Sequence, residues 1–372
     1  MKHLPTDATL LAAPFGYGPL GKAMAVAHEF QGRGFTVKIL GDKWAQKIAT
    51  ASGLTAGGYE YRRPLDFREL NTGVVLSFLD VSTPVNKSHI PLLLVDSLFW
   101  LRGRWERLPD PSYPADRILV QRFFVEAPEA AKRAVSDKLH VVDAILPASL
   151  VNLKPNDKGE HVLLYPGGMR SPYLGSVYQE KYLQWGLNVV VKAMDAAGIG
   201  HSDLVIITPP QMLSSATIDF ARKLGSRIES SVDDVGSLIR DARCVVAAPG
   251  IGTMLEAHAM GKQPHFLPPF NGSHIAELTA YRQAGIGIEL SKFADRFRDL
   301  EGDTDHLSGL SMKVAGRCLE LLAQRQPQEE AAACLASSLA MGCTVENRYP
   351  LGKHGAAQVV DHALSVMRTN VA

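Results

Sequence analysis

The chain has 372 residues, of which 46% are apolar and 21% are charged, and its 39 Lys and Arg against 38 Asp and Glu leave a formal net charge of +1. This length suits two domains, and the near-neutral charge argues against a basic nucleic-acid-binding surface and against an acidic tail. No segment approaches the roughly 18 consecutive apolar residues of a membrane span, the first residues lack the apolar core of a signal peptide, and four scattered cysteines without CxxC spacing predict free thiols in a cytoplasmic protein.

Apolar runs alternate with amphipathic stretches through the first half of the chain. Residues 9–14 predict a strand, residues 16–21 a glycine turn, residues 22–31 a helix and residues 35–40 a second strand. Such a βαβ unit predicts a parallel sheet with right-handed crossovers. Further strands of the same sheet are predicted at residues 74–79, 92–95, 117–121 and 141–146.

A polar segment punctuated by proline, residues 146–160, predicts a linker between two domains. Beyond the linker, strands and helices alternate again. The strands are predicted at residues 161–165, 204–207 and 244–248, and the helices at residues 185–197, 218–225, 235–241 and 279–285. The pattern therefore predicts two Rossmann-like domains, residues 1–150 and 161–350, followed by a C-terminal helix within residues 355–370.

The most informative segment is residues 245–271, in which a strand, a glycine turn, a helix and a second strand follow one another. The turn reads Pro249-Gly250-Ile251-Gly252-Thr253. It lies where a strand ends and a helix begins, so backbone N–H groups and the helix dipole favour an anion there. Glu256, about one helical turn further on, can accept hydrogen bonds from ribose hydroxyls. We predict a nucleotide-diphosphate site, although a bare GxG turn made for packing is the alternative.

This segment resembles the donor-sugar signature of GT-B glycosyltransferases, both the bacterial natural-product UDP-glycosyltransferases and the MurG-type N-acetylglucosaminyltransferases. The matching residues are Gly252-Thr253, Glu256, Gly261, Pro264 and Pro268-Pro269. Two positions depart from the pattern. Ala248 stands where many relatives have a diphosphate-binding histidine, and Asn271-Gly272-Ser273-His274 stands where many have Asp-Gln.

A weaker resemblance links the chain to the cytosylglucuronate synthase-type enzymes of nucleoside-antibiotic biosynthesis. It rests on the chain length and on the segment Asp96-Ser97-Leu98-Phe99-Trp100.

The GT-B resemblance implies an α/β protein in which two doubly wound Rossmann-like domains face a central cleft. Residues 1–150 would bind the acceptor, residues 161–350 would bind the nucleotide sugar, and the last helix would cross back to the first domain. The implied activity is a metal-independent, inverting transfer of a hexosyl or glucuronosyl group from a UDP-sugar. The acceptor would be a small polar molecule, such as a nucleobase or a natural-product intermediate. No cofactor is implied beyond the donor itself, and a homodimer is one option for the assembly.

The motif and the resemblance together assign one set of residues to the donor. These are Gly168, Arg170, Gly250, Ile251, Gly252, Thr253, Glu256, Ser273 and His274. Arg170 would replace the charge missing at Ala248, and the loop at Gly16, Tyr17 and Gly18 would line the acceptor side.

Inverting transfer needs a general base that deprotonates the acceptor. Many relatives place a histidine after the first strand, and this sequence has none there. The candidates are Asp96, Asp80 and His89, with Asp96 first because it ends an apolar strand. The alternative for Asp96 is a carboxylate that caps the turn after its strand.

Other functions remain open at this level. Gly16-x-Gly18-x-x-Gly21 followed by Asp42 formally matches the dinucleotide fingerprint of an NAD(P)-dependent oxidoreductase. A UDP-sugar hydrolase or 2-epimerase would share the GT-B fold, and the missing motif histidines also fit an inactive partner protein.

Overall fold

A computed structural model gives the structure of the chain. It describes residues 7–15, 17–60, 63, 65–79, 85–86, 89–103, 108–156, 158–167, 169, 174–208, 214–229, 235–300, 307–341 and 349–371. The chain divides into two compact units. The first comprises Met1–Val151 and Pro350–Ala372, and the second comprises Asn152–Tyr349.

The first unit is built on a seven-stranded parallel sheet. Its strands are β1 (Asp7–Ala12), β2 (Thr36–Gly41), β3 (Thr55–Gly58), β5 (Val74–Phe78), β7 (Leu92–Asp96), β8 (Arg117–Gln121) and β9 (Leu139–Val142). β4 (Leu65–Asp66) and β6 (Val85–Asn86) form a separate pair. The order β3-β2-β1-β5-β7-β8-β9 reverses direction between β1 and β5, which is therefore the topological switch point. Every residue of β5 and β7 is buried, as expected for central parallel strands covered on both faces.

The helices of this unit that follow its strands are α1 (Gly18–Gly32), α2 (Lys43–Ala51), α3 (Glu129–Ala134) and α4 (Ala148–Val151). The helix α1 begins at Gly18, so the predicted glycine turn through residue 21 was wrong. Pro19 explains the early start, because its fixed φ suits the first helical turn and its missing N–H needs no partner there. Gly16 lies outside the described residues.

The second unit contains a six-stranded parallel sheet. Its strands are β10 (His161–Tyr165), β11 (Leu204–Ile207), β12 (Arg227–Glu229), β13 (Ala242–Ala247), β14 (His265–Phe266) and β15 (Ile288–Glu289). Their order is β12-β11-β10-β13-β14-β15, so the switch point lies between β10 and β13. Ligands of open parallel sheets bind at the carboxyl ends of the strands that border such a point.

Eight helices surround this second sheet among the described residues. They are α5 (Ser176–Ala197), α6 (Ser215–Lys223), α7 (Val235–Asp241), α8 (Ile251–Ala259), α9 (Gly272–Ala284), α10 (Phe293–Arg296), α11 (Leu307–Leu322) and α12 (Arg325–Met341). The sequence pattern did not predict α11 and α12, and it predicted α9 only over its second half.

The C-terminal helix α13 (Gly355–Val371) belongs to the first unit. It packs against α1, and Arg33 donates a hydrogen bond to Asp361. Val359 and Val360 are buried in the same apolar cluster as the strands of that unit. None of the helices described is long and apolar enough to cross a membrane.

Candidate functional site

The glycine turn predicted from the sequence lies at the switch point of the second sheet. It follows β13, and Gly250 is the N-cap of α8 with no side chain capping the helix. The first bond of the helix joins Met254 N to Gly250 O at 3.1 Å. The N–H groups of Ile251, Gly252 and Thr253 precede that bond and therefore have no partner within the helix. These N–H groups and the positive end of the helix dipole favour an anion.

The loop after β10 borders the same turn from the other side of the switch point. Gly167 has φ of +71°, and a Cβ at this position would lie 3.2 Å from Thr253 Oγ1. Both the positive φ and the close approach of the hydroxyl therefore require glycine here. Gly168 and Arg170, which the sequence assigns to the donor, lie outside the described residues.

The segment after β14 is the third element that borders this turn. His274 Nδ1 accepts a hydrogen bond from Phe270 N at 3.2 Å. Its Nε2 lies 3.7 Å from the position that a Cβ on Gly250 would occupy. The side chain is 6% exposed. The predicted donor residue His274 thus lies beside Gly250, even though it follows that glycine by a whole helix and strand.

Asn271 and Ser273 have a structural role in the same segment. Asn271 is the N-cap of α9, and its Oδ1 accepts hydrogen bonds from His274 N at 3.3 Å and from Ser273 Oγ at 2.9 Å. The departure from the Asp-Gln pattern of the relatives therefore supplies a helix cap. Ser273, which the sequence assigns to the donor, stays a prediction.

Two buried tyrosines of α5 hold this segment in place. Tyr178 Oη donates to Phe270 O at 3.0 Å, and Tyr182 Oη donates to Pro268 O. The Tyr178 ring also stacks on Phe270 with 4.8 Å between the centroids. These contacts fix the backbone immediately before α9, and with it the position of His274.

Burial keeps the imidazole of His274 neutral. It lowers the pKa of His274 from 6.5 to about 3. Because Nδ1 accepts a hydrogen bond, the neutral ring carries its proton on Nε2. The site therefore receives an N–H donor from His274 but no positive charge.

Glu256 lies on α8 with a half-buried side chain, four residues after Gly252 and thus on the same face of the helix. The ribose contact that the sequence assigns to Glu256 stays a prediction. His258 lies on another face and its Nε2 is 3.1 Å from Tyr349 O, which is a packing contact within the unit.

The first unit has a buried lysine in the first turns of α1, which the sequence pattern did not predict. Lys22 is 6% exposed, and its Nζ lies 4.0 Å from the position of a Cβ on Gly18. Gly18 and Tyr17, the described residues of the predicted acceptor-side loop, form the start of α1. The spacing of four residues from Gly18 was the available signal, because helical side chains lean towards the N-terminus.

Of the candidate general bases, the two that the structure describes, Asp96 and His89, do not come together. Asp96 is 1% exposed and accepts hydrogen bonds from Leu98 N at 2.9 Å and from Arg102 Nη2 at 3.1 Å. These contacts fit the alternative that the sequence left open for Asp96, a carboxylate that caps the turn after its strand. His89 is exposed and precedes the amino end of β7, whereas Asp96 ends that strand. Asp80 lies outside the described residues.

The structure also removes the main support for the oxidoreductase. Asp42, the acid of the dinucleotide fingerprint, is the N-cap of α2, and its Oδ1 accepts from Trp44 N and Ala45 N at 3.0 Å each. Over the described ranges, no group of three or more His, Cys, Asp or Glu side chains is placed to hold a metal ion.

Comparison with known proteins identifies the fold. No family model matches the sequence, and no curated protein matches it either. Among solved structures, LpCGTa in complex with UDP aligns with a TM-score of 0.50 and 13% identity, over 98% of this chain and 100% of that one. MurG from Acinetobacter baumannii aligns with a TM-score of 0.48 and 14% identity, over 97% of this chain and 100% of that one. CalG4, the calicheamicin glycosyltransferase, aligns with a TM-score of 0.48 and 12% identity, over 99% of each chain.

At such low identity, the likeness to LpCGTa shows the fold alone. Together with the two doubly wound parallel sheets, it confirms the predicted α/β GT-B fold.

Proposed function

We propose that this chain is an inverting glycosyltransferase that moves a sugar from a UDP-sugar to a small polar acceptor. The observation that carries the proposal is the uncapped start of α8 at the switch point between β10 and β13, bordered by Gly167, Thr253 and His274. A GT-B fold with an anion-binding turn at this strand suits a nucleotide diphosphate. LpCGTa was crystallised in complex with UDP, which supports uracil as the base of the donor.

In this proposal the turn binds the leaving group. The N–H groups of Ile251, Gly252 and Thr253 donate to the diphosphate, and the Thr253 hydroxyl adds a further donor. Glu256 accepts from the ribose hydroxyls. Fixed donors of this kind stabilise the charge that develops on a departing diphosphate, because they need no reorganisation when the bond breaks. Arg170 is proposed as the positive charge, since Ala248 has none.

The first unit would supply the acceptor site and the base. Its own switch point lies between β1 and β5, and α1, which follows β1, carries Gly18 and Lys22 in its first turns. Asp80 follows Leu79 directly after β5, so we place it first among the candidate bases. Asp96 is less suited, because Arg102 and a backbone N–H already bond its carboxylate.

A turnover assay tests this function. The protein is incubated with UDP-glucose or UDP-glucuronate, with and without a panel of small polar acceptors, and products are followed by mass spectrometry and NMR. The proposal predicts that an acceptor gains the sugar with inverted anomeric configuration and that UDP release without acceptor is slow. Rapid UDP release or a new UDP-sugar isomer without acceptor would instead identify a hydrolase or an epimerase.

A further inference from the structure

The imidazole of His274 is directed at the start of α8. Its Nε2 lies 3.7 Å from the Cβ position of Gly250, the residue that caps this helix. His274 lies in the first turn of α9, where its backbone N–H donates to Asn271 Oδ1 and its ring Nδ1 accepts from Phe270 N. The ring therefore reaches the glycine turn from a different element of the same unit.

The proton on this ring faces the turn. Phe270 N donates to Nδ1, which leaves Nε2 as the N–H donor of the neutral ring. The nearest carboxylate oxygen, Glu277 Oε2, is 4.0 Å from Nε2, beyond hydrogen-bond distance. Within the part of the chain that the structure describes, Nε2 makes no hydrogen bond. This N–H group, beside the start of α8, is therefore available to an acceptor on a ligand.

We propose that His274 Nε2–H donates a hydrogen bond to the diphosphate of the donor nucleotide. The imidazole that is missing at Ala248 is thus supplied from α9. This inference rests on the proposed function, and it gives His274 a specific task among the residues of the donor site.

The geometry favours the phosphate over the sugar as the partner of His274. Gly250 is the N-cap of α8, so a group within reach of both Nε2 and the first N–H groups of the helix occupies the anion position. Asn271 and Ser273, by contrast, are bonded to each other at the start of α9. Of the segment that replaces the Asp-Gln pattern, His274 is the side chain directed at the turn.

Two substitutions separate the donor from the packing role of the ring. His274→Asn places an amide oxygen near the position of Nδ1, so Phe270 N keeps its acceptor, but it has no atom at the position of Nε2. His274→Gln places an N–H donor near Nε2. Isothermal titration with UDP, UDP-glucose and uridine is carried out on the wild-type protein and on both variants.

The proposal predicts that His274→Asn weakens UDP binding by about 10- to 100-fold, the range for a hydrogen bond to a charged group. Uridine affinity should not change, and His274→Gln should retain most of the UDP affinity. Unchanged UDP affinity in His274→Asn overturns the proposal. So does a loss that appears with UDP-glucose and not with UDP, because it would assign the contact to the sugar.

A measurement on the wild-type protein keeps the proposal testable if His274→Asn does not fold. In ¹⁵N-histidine spectra, the assigned Nε2–H signal of His274 should move downfield on addition of UDP and stay in place with uridine. A signal that does not respond to UDP contradicts the contact. If the wild-type protein binds no UDP at all, the proposed function itself fails, which the titration distinguishes from unaltered UDP binding in the variant.

Discussion

Replacing Gly167 with alanine perturbs the loop after β10 in two separable ways. The residue has φ of +71°, where a side chain costs about 1–2 kcal/mol. The new Cβ would also lie 3.2 Å from Thr253 Oγ1, closer than most Cβ contacts, so the hydroxyl has to move away from the turn. The free energy of unfolding should therefore fall by about 1–2 kcal/mol. UDP binding should weaken by about 1.5–3 kcal/mol if Thr253 donates to the diphosphate.

Gly198 provides a matched control in the same unit. It ends α5 with φ of +66°, and a Cβ there would meet no atom within 4 Å. Gly198→Ala should thus show the same conformational cost, about 1–2 kcal/mol, without any effect on UDP binding. Urea unfolding measures the stability of both variants, and isothermal titration measures their affinity for UDP.

The comparison between the two alanine variants tests whether the loop after β10 and Thr253 belong to the donor site. Equal losses of stability with a selective loss of UDP affinity in Gly167→Ala support a diphosphate at Thr253. If Gly167→Ala binds UDP as tightly as Gly198→Ala does, the loop after β10 is not part of the donor site, and the reasoning from its close approach to Thr253 is refuted.

Three further predictions address other residues. Glu256→Ala should weaken UDP binding by about 1–3 kcal/mol, whereas the control Glu320→Ala, at an exposed position of α11, should leave UDP binding unchanged. If isothermal titration gives both variants the same affinity for UDP, Glu256 does not belong to the ribose site. Asp96→Asn should lower the free energy of unfolding in urea by about 3–5 kcal/mol, because it leaves the charged Arg102 without its carboxylate partner. A variant that is as stable as the wild type but inactive would instead identify Asp96 as the base. Burial lowers the pKa of His265 to about 4 and that of His274 to about 3. The stability that these neutral rings contribute is therefore fully present above their pKa in the unfolded chain, near 6.5, and is lost as the pH falls below it. By pH 5 each residue should lower the free energy of unfolding by about 2 kcal/mol, and an unchanged urea midpoint between pH 7 and pH 5 would contradict this.

Local sequence patterns predicted the glycine turn between β13 and α8 because its determinants are contiguous. Gly250, Gly252 and Thr253 follow a strand and open a helix, and the same order of elements is present in the structure. Asp42 shows the limit of such patterns, since an acid after a strand fits both a ribose contact and a helix cap. The hydrogen bonds from Trp44 N and Ala45 N identify it as the cap.

Features that depend on the packing of distant segments could not be predicted in the same way. Part of the need for glycine at position 167 comes from Thr253, a residue in the first turn of α8. The approach of His274 to Gly250 depends on Tyr178 and Tyr182, which hold the backbone before α9. No spacing rule connects residues that are brought together by parallel strands of one sheet.

The central claim is that the second unit binds the diphosphate of a uridine nucleotide. A thermal-shift comparison of UDP, UDP-glucose, uridine and NADH tests it most directly, since a ligand at 100 times its dissociation constant stabilises the folded state by about 2.7 kcal/mol. We predict that UDP and UDP-glucose raise the unfolding temperature by several degrees, while uridine has a much smaller effect and NADH has none. Stabilisation by NADH alone, or equal effects of uridine and UDP, would contradict the claim.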